Sequence, residues 1–160
     1  MQTEKIKFKL ELYATMWDKA PYVQVSINGR VFHKGEITGT EAKPNIIEFE
    51  ETLVEKQKYE LCIKRSNKDN KQCIVNDKGD ILHDQLLHIK SLEIDEIVIG
   101  NLVFEGIYTP EYPEPWYSEE TKAGNKPVES YKNVTAMGHN GTWKWSFSSP
   151  FYMWLLENLY

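Results

Sequence analysis

The feature that most constrains this chain is a strict alternation of apolar and polar residues near its start, KIKFKLEL. Ile6, Phe8, Leu10 and Leu12 fall on one side, and Lys5, Lys7, Lys9 and Glu11 on the other. Successive side chains of a β-strand point to opposite faces, so a period of two gives one extended segment a buried face and a wet face. A helix would scatter the same residues around its circumference. The pattern returns in YVQVSI with Val23, Val25 and Ile27, and in NIIEFEETLVE with Ile47 and Phe49 set against Glu48 and Glu50.

The segments between these runs carry turn chemistry. Asn28-Gly29 separates YVQVSI from RVFHKG, and that dipeptide suits a type I′ hairpin, which needs positive φ at both central residues. YELCIKR and QCIVN flank the polar stretch SNKDNK and read as a second hairpin. Turning about Asn67 and Lys68, that hairpin would face Cys62 towards Cys73, with a cross-strand disulfide as one outcome and reduced thiols as the other. NDKGD is rich in turn formers. The run LLHIKSLEIDEIVIG breaks phase twice, between Ile89 and Leu92 and between Ile94 and Ile97. Its β-branched residues favour strand over helix, with a bulge or a tight turn at Asp95 and Glu96.

Residues 109–133 differ in kind, with four of the seven prolines, Gly124 and no periodicity. A stretch of that length without regular structure reads as a binding loop or an arm. GTWKWSFS then alternates Trp143, Trp145 and Phe147 with Lys144, Ser146 and Ser148. Ser149 as N-cap and Pro150 at the first helical position open a short helix over 149–160. The expected fold is all-β: one antiparallel sandwich of jelly-roll type over residues 1–160, with a proline-rich loop and a C-terminal helix.

Composition narrows the function classes. A net charge of −5 argues against a general nucleic-acid binder. No run approaches the roughly 18 apolar residues of a membrane span, and the first residues lack the apolar core of a signal peptide. Synthesis in a cytoplasm is the expectation. No nucleophile, base and orienting group can be assembled from the motifs present, so an enzyme is not expected.

Two groups of residues hold chemistry. NDKGDILHDQLLH gathers Asp77, Asp80, His83, Asp84 and His88. On a strand the two histidines would face opposite ways, and on a helix they miss the i, i+4 spacing, which disfavours zinc. The three aspartates suit calcium, which accepts carboxylates and carbonyls from an irregular loop, and they suit a plain solvated turn equally. The second group is aromatic. Tyr108, Tyr112, Trp116 and Tyr117 lie in the proline-stiffened segment, where they cap the open end of the sandwich, anchor a partner or stack on sugar rings. His139, in the turn MGHNG, is a further candidate contact. In the C-terminal helix Phe151, Trp154, Leu155 and Leu159 share one side while Tyr152 and Leu156 lie toward another, so the segment closes the core, meets another chain, or does both.

The stretch from His83 to Gly106 resembles the late strands of calcium-dependent carbohydrate-binding modules, on Asp84, Leu86, Ile89, Ile94 and Asp95. That resemblance implies a jelly-roll sandwich, calcium at Asp77, Asp80 or Asp84, and a sugar against Trp116 or Tyr117. The second half, from EIVIGNLVFEGIYTPEYPEPW to GHNGTWKWSFSSPFYMWLLENLY, looks like small virion proteins of tailed bacteriophages that share this sandwich. There the implied role is structural or receptor-facing in a virion made in a host cytoplasm, with other virion proteins or further copies as partners. The leading expectation is such a non-enzymatic virion module, with Tyr108, Tyr112, Trp116, Tyr117, His139 and Trp154 as contacts. The alternative is a calcium-dependent carbohydrate-binding module.

Overall fold

The computed structural model describes residues 2–69 and 71–159. Two antiparallel sheets enclose the core. The first contains β1 (Thr3–Thr15), β4 (Asn45–Val54), β8 (Leu86–Ile94), β9 (Ile97–Val98) and β12 (Ala136–Met137), in the order β12-β8-β1-β4 with β9 also on β8. The second contains β2 (Tyr22–Ile27), β3 (Arg30–Glu36), β5 (Lys58–Ser66), β10 (Ile107–Pro110), β11 (Tyr131–Lys132) and β13 (Gly141–Ser148), in the order β11-β10-β13-β5-β2-β3. A separate small hairpin pairs β6 (Ile74–Val75) with β7 (Ile81–His83).

The alternation of β1 does what its period requires. Ile6, Phe8, Leu10 and Leu12 are buried, and Phe8 meets Phe147 of β13 across the sandwich with ring centroids 5.9 Å apart. Val23, Val25, Leu61, Ile63, Trp143 and Trp145 fill the opposite face of the same core. Asn28 and Gly29 take φ +47° and +86°, the left-handed pair a two-residue turn needs. Both phase breaks in 86–98 have structural causes. Glu11 faces Ser91 while Leu12 faces Ile89, so Lys90 is an extra residue in a β-bulge. Asp95 and Glu96 form the tight turn between β8 and β9, at φ +49° and +67°.

Three expectations are corrected. The YELCIKR–QCIVN hairpin does not form: β5 lies between β2 and β13, with Cys62 opposite Ser26 and Lys144. Those longer partners satisfy both edges of β5, whereas QCIVN contributes only two strand residues, paired across the NDKGD turn with β7. Cys62 and Cys73 are both free thiols. Burial raises the Cys62 thiol above its ordinary range.

Residues 109–133 are not structureless. They hold the end of β10, the helix α1 (Trp116–Lys122) and β11. The helix starts after Pro115 and places Glu119 in its first turn and Lys122 in its last, each complementing the helix dipole. Seven residues with none buried leave no apolar period to read.

Ser149 does not cap the C-terminal helix α2 (Phe151–Leu159). Its hydroxyl is buried without a hydrogen-bond partner among the described residues. The Phe151 N–H instead donates to Glu4 Oε1 at 2.9 Å, so a carboxylate from β1 takes the positive end of the helix. Phe151 and Leu155 are buried, and Trp154 packs edge-on to Trp145 at 5.2 Å. Leu159, expected on the same side, is exposed together with Tyr152, Met153 and Leu156. No helix among the described residues is long and apolar enough to cross a membrane.

Candidate functional site: an aromatic platform over a buried polar network

Where β10 leaves the sheet, the Glu111 N–H donates to the Asn140 carbonyl at 2.6 Å and the chain turns out over the end of the sandwich. Tyr112 is the centre of an aromatic cluster there. Its ring lies 5.5 Å from Trp116, 6.0 Å from Tyr117 in a stacked arrangement, and 5.2 Å from His139 in an edge-on one. Its hydroxyl donates to the Val128 carbonyl at 2.6 Å and lies 3.2 Å from that of Tyr131. Trp116 and Tyr117 are each 42% exposed and Tyr131 37%. The result is a cluster of partly exposed aromatic rings edged by hydroxyls and one imidazole.

Tyr108 has a different part from the one expected. It is buried, and its hydroxyl donates to the His139 carbonyl at 2.6 Å and accepts from the His139 N–H at 2.9 Å. It therefore positions His139 rather than offering a face of its own. Burial pushes its hydroxyl up to about 12. Burial, followed by the nearby Lys68 charge, holds His139 below the usual imidazole range. The neutral ring is both donor and acceptor. Trp154 belongs to the α2 packing and not to this cluster.

Beneath the platform is a polar network. Arg65 is fully buried; Nη1 donates to Asn140 Oδ1 at 2.9 Å, and Nη2 donates to the Gln85 carbonyl at 2.9 Å and its Oε1 at 2.7 Å. Burial lowers the guanidinium to about 10, still cationic at neutral pH. Lys68 Nζ donates to Asp84 Oδ1 at 2.6 Å and to the Gly138 carbonyl. Asn140 ties the Lys68 backbone both ways: its Oδ1 accepts the Lys68 N–H at 3.0 Å and its amide donates to the Lys68 carbonyl at 2.8 Å.

No family model matches this chain, and no curated protein matches its sequence. Among solved structures it is similar to a selenomethionine form of vCBM60, from work on two families of calcium-dependent carbohydrate-binding modules linked by circular permutation. The TM-score is 0.50 at 8% identity, over 88% of this chain and 89% of that one. The two chains share a fold.

Calcium takes six to eight oxygen ligands, several of them carboxylate. The described residues do not gather such a set of side chains. Among the described residues no group of three or more His, Cys, Asp or Glu side chains converges on one point. Asp80 Oδ2 accepts from the Asn76 amide at 3.2 Å within the 76–80 turn, where Asn76 Oδ1 also takes the Lys78 and Asp80 N–H groups. Asp77 stands in that turn as well, and the Asp84 carboxylate is engaged by an ammonium. His83 and His88 are held apart, His83 stacked on Trp17 at 3.6 Å and His88 on Tyr13 at 4.4 Å.

The structure therefore brings Tyr112, Trp116, Tyr117 and His139 together and leaves Tyr108 below them. Tyr131 joins the platform, although its segment offered no periodicity. A nearby proline and aromatic character are the signals that singled out Tyr112 and Trp116, and with Pro127 close by they apply to Tyr131 equally. Trp17, in the non-periodic ATMWDKAP, carries the same signal and is 40% exposed.

Proposed function

We propose that this chain is a non-catalytic carbohydrate-binding module whose ligand lies on the Tyr112–Trp116–Tyr117–Tyr131 platform. One observation carries the reading: partly exposed aromatic rings are gathered around Tyr112, with hydroxyls and the neutral His139 at their edge. Sugar rings present apolar C–H faces that stack on aromatic planes, while their hydroxyls need donors and acceptors beside them. Trp116 and Tyr117 supply the faces; Tyr131 and His139 supply the polar edge. The fold shared with vCBM60, a protein from work on calcium-dependent carbohydrate-binding modules, supports the class. The test is native affinity electrophoresis through a panel of soluble polysaccharides, wild type beside Trp116→Ala. Retardation in at least one gel, abolished in the variant, is the expected result. Equal mobility of the two proteins in every gel would refute it.

A second reading draws on α2, which presents Tyr152, Met153, Leu156 and Leu159 to solvent. On that reading the chain is an assembly component, its partner another virion protein or a further copy, and the four residues are its contact. Solution mass of the wild type beside a Met153→Glu/Leu156→Glu variant, which leaves the buried Phe151 and Leu155 in place, tests the form of this reading in which the partner is a further copy. An oligomer that becomes a folded monomer in the variant favours it, and a monomer in both forms opposes it.

A further inference from the structure

We propose that the Lys68 ammonium is the resident cation of an oxygen pocket built by Asp84 and Gly138, so that this sandwich is closed there without a divalent metal. This stands apart from the carbohydrate reading, because its readouts are stability and metal uptake and not glycan binding.

The geometry is that of a held cation. Nζ donates to Asp84 Oδ1 at 2.6 Å and to the Gly138 carbonyl, and Asp84 Oδ1 also accepts the Gln85 N–H at 2.8 Å. The two side chains are only 10% and 19% exposed. A lysine has a flexible four-carbon stem, and fixing it costs rotamer entropy. Asn140 fixes the Lys68 backbone from both sides, so only the side-chain torsions are left for the Asp84 and Gly138 contacts to order. The ammonium thus joins the 67–69 turn, the segment before β8 and the turn before β13.

Charge gives a second, independent argument. Arg65 is buried beside this pocket, and its acceptors are all neutral: the Asn140 amide, the Gln85 amide and the Gln85 carbonyl. Its Nε has no partner among the described residues. The Asp84 carboxylate therefore already has an ammonium in contact and a guanidinium nearby. A calcium ion bound there beside Lys68 and Arg65 would be repelled by both, and low-dielectric surroundings strengthen that repulsion.

The test uses the full chain and calcium alone. Thermal melting in millimolar calcium chloride and in chelator is compared for the wild type, Lys68→Met, Asp84→Asn and the double variant, with calorimetric titration of calcium into the wild type. The wild type is expected to melt at the same temperature in both buffers and to take up no calcium. Lys68→Met strands a largely buried carboxylate and is expected to melt roughly 5 °C lower or more. The double variant is expected to recover part of that loss. A wild-type Tm raised by calcium, or calcium uptake with Lys68 intact, would overturn the proposal, as would single variants as stable as the wild type. Where Lys68→Met fails to fold, the wild-type titration and Asp84→Asn still decide.

Discussion

Tyr112 offers a quantitative test of how the platform is held. Its ring makes three aromatic contacts, with Trp116, Tyr117 and His139. Such pairs are each worth about 0.5–1.5 kcal/mol when well packed. Because α1 buries none of its residues, the lower end applies, which gives about 1.5 kcal/mol for the three together. The hydroxyl adds one hydrogen bond to the Val128 carbonyl, worth about 0.5–1.5 kcal/mol. Tyr112→Ala removes both contributions, whereas Tyr112→Phe removes only the second. The loss is local, so the assay should be local too. Amide exchange at Tyr117 and Glu119, whose N–H groups donate to Pro113 and Pro115, reports the opening of α1. Tyr112→Ala is expected to speed exchange there by roughly 30-fold or more, and Tyr112→Phe by about tenfold or less. Equal acceleration by the two variants would mean that the hydrogen bond, not ring packing, holds the helix. No acceleration in either would refute the reasoning altogether.

Other outcomes rest on single features of the structure. A Cβ at Gly106 would lie 2.2–2.4 Å from indole atoms of the fully buried Trp143, so Gly106→Ala is expected to lower stability by about 1–3 kcal/mol in urea melts. Gly106 has an ordinary φ of −64°, so a neutral result would mean that Trp143 has room to move. Glu4→Ala removes the carboxylate at the start of α2 and is expected to cost about 0.5–2 kcal/mol, read by the same melts. Tyr108 is raised from 10 to about 12 on folding, chiefly by burial. The unfolded chain therefore ionises first, and the associated stability is full below pH 10 and is lost as pH rises toward 12. Wild type should lose stability relative to Tyr108→Phe across that window, and parallel pH curves would count against the burial of its hydroxyl.

Much of the fold was legible because local chemistry and tertiary structure agree. The period of two in β1, the Asn28-Gly29 turn and the two phase breaks in 86–98 each reflect backbone geometry within a few residues. Strand order was not legible. β5 is flanked by β2 and β13, and nothing in YELCIKR distinguishes those neighbours from a nearby QCIVN. The aromatic loop was legible as a cluster of residue types but not as an arrangement, since α1 is too short to show a helical period. The polar network beneath it left no trace in the sequence. Arg65 meets Asn140 across 75 positions and Lys68 meets Asp84 across 16, and both look like ordinary surface charges when read along the chain. Ser149 shows the limit of capping rules: the Phe151 N–H found its acceptor 147 positions away.

The most direct test of the central claim is an NMR titration with an oligosaccharide cut from whichever polysaccharide retards the protein. Binding on the platform predicts shifts at the Trp116 indole N–H and at Tyr112, Tyr117, Tyr131 and His139, with the buried Trp143 and Trp145 unmoved. Shifts confined to the outer face of the β4-β1-β8 sheet, or to Tyr152 and Leu156 of α2, would contradict it.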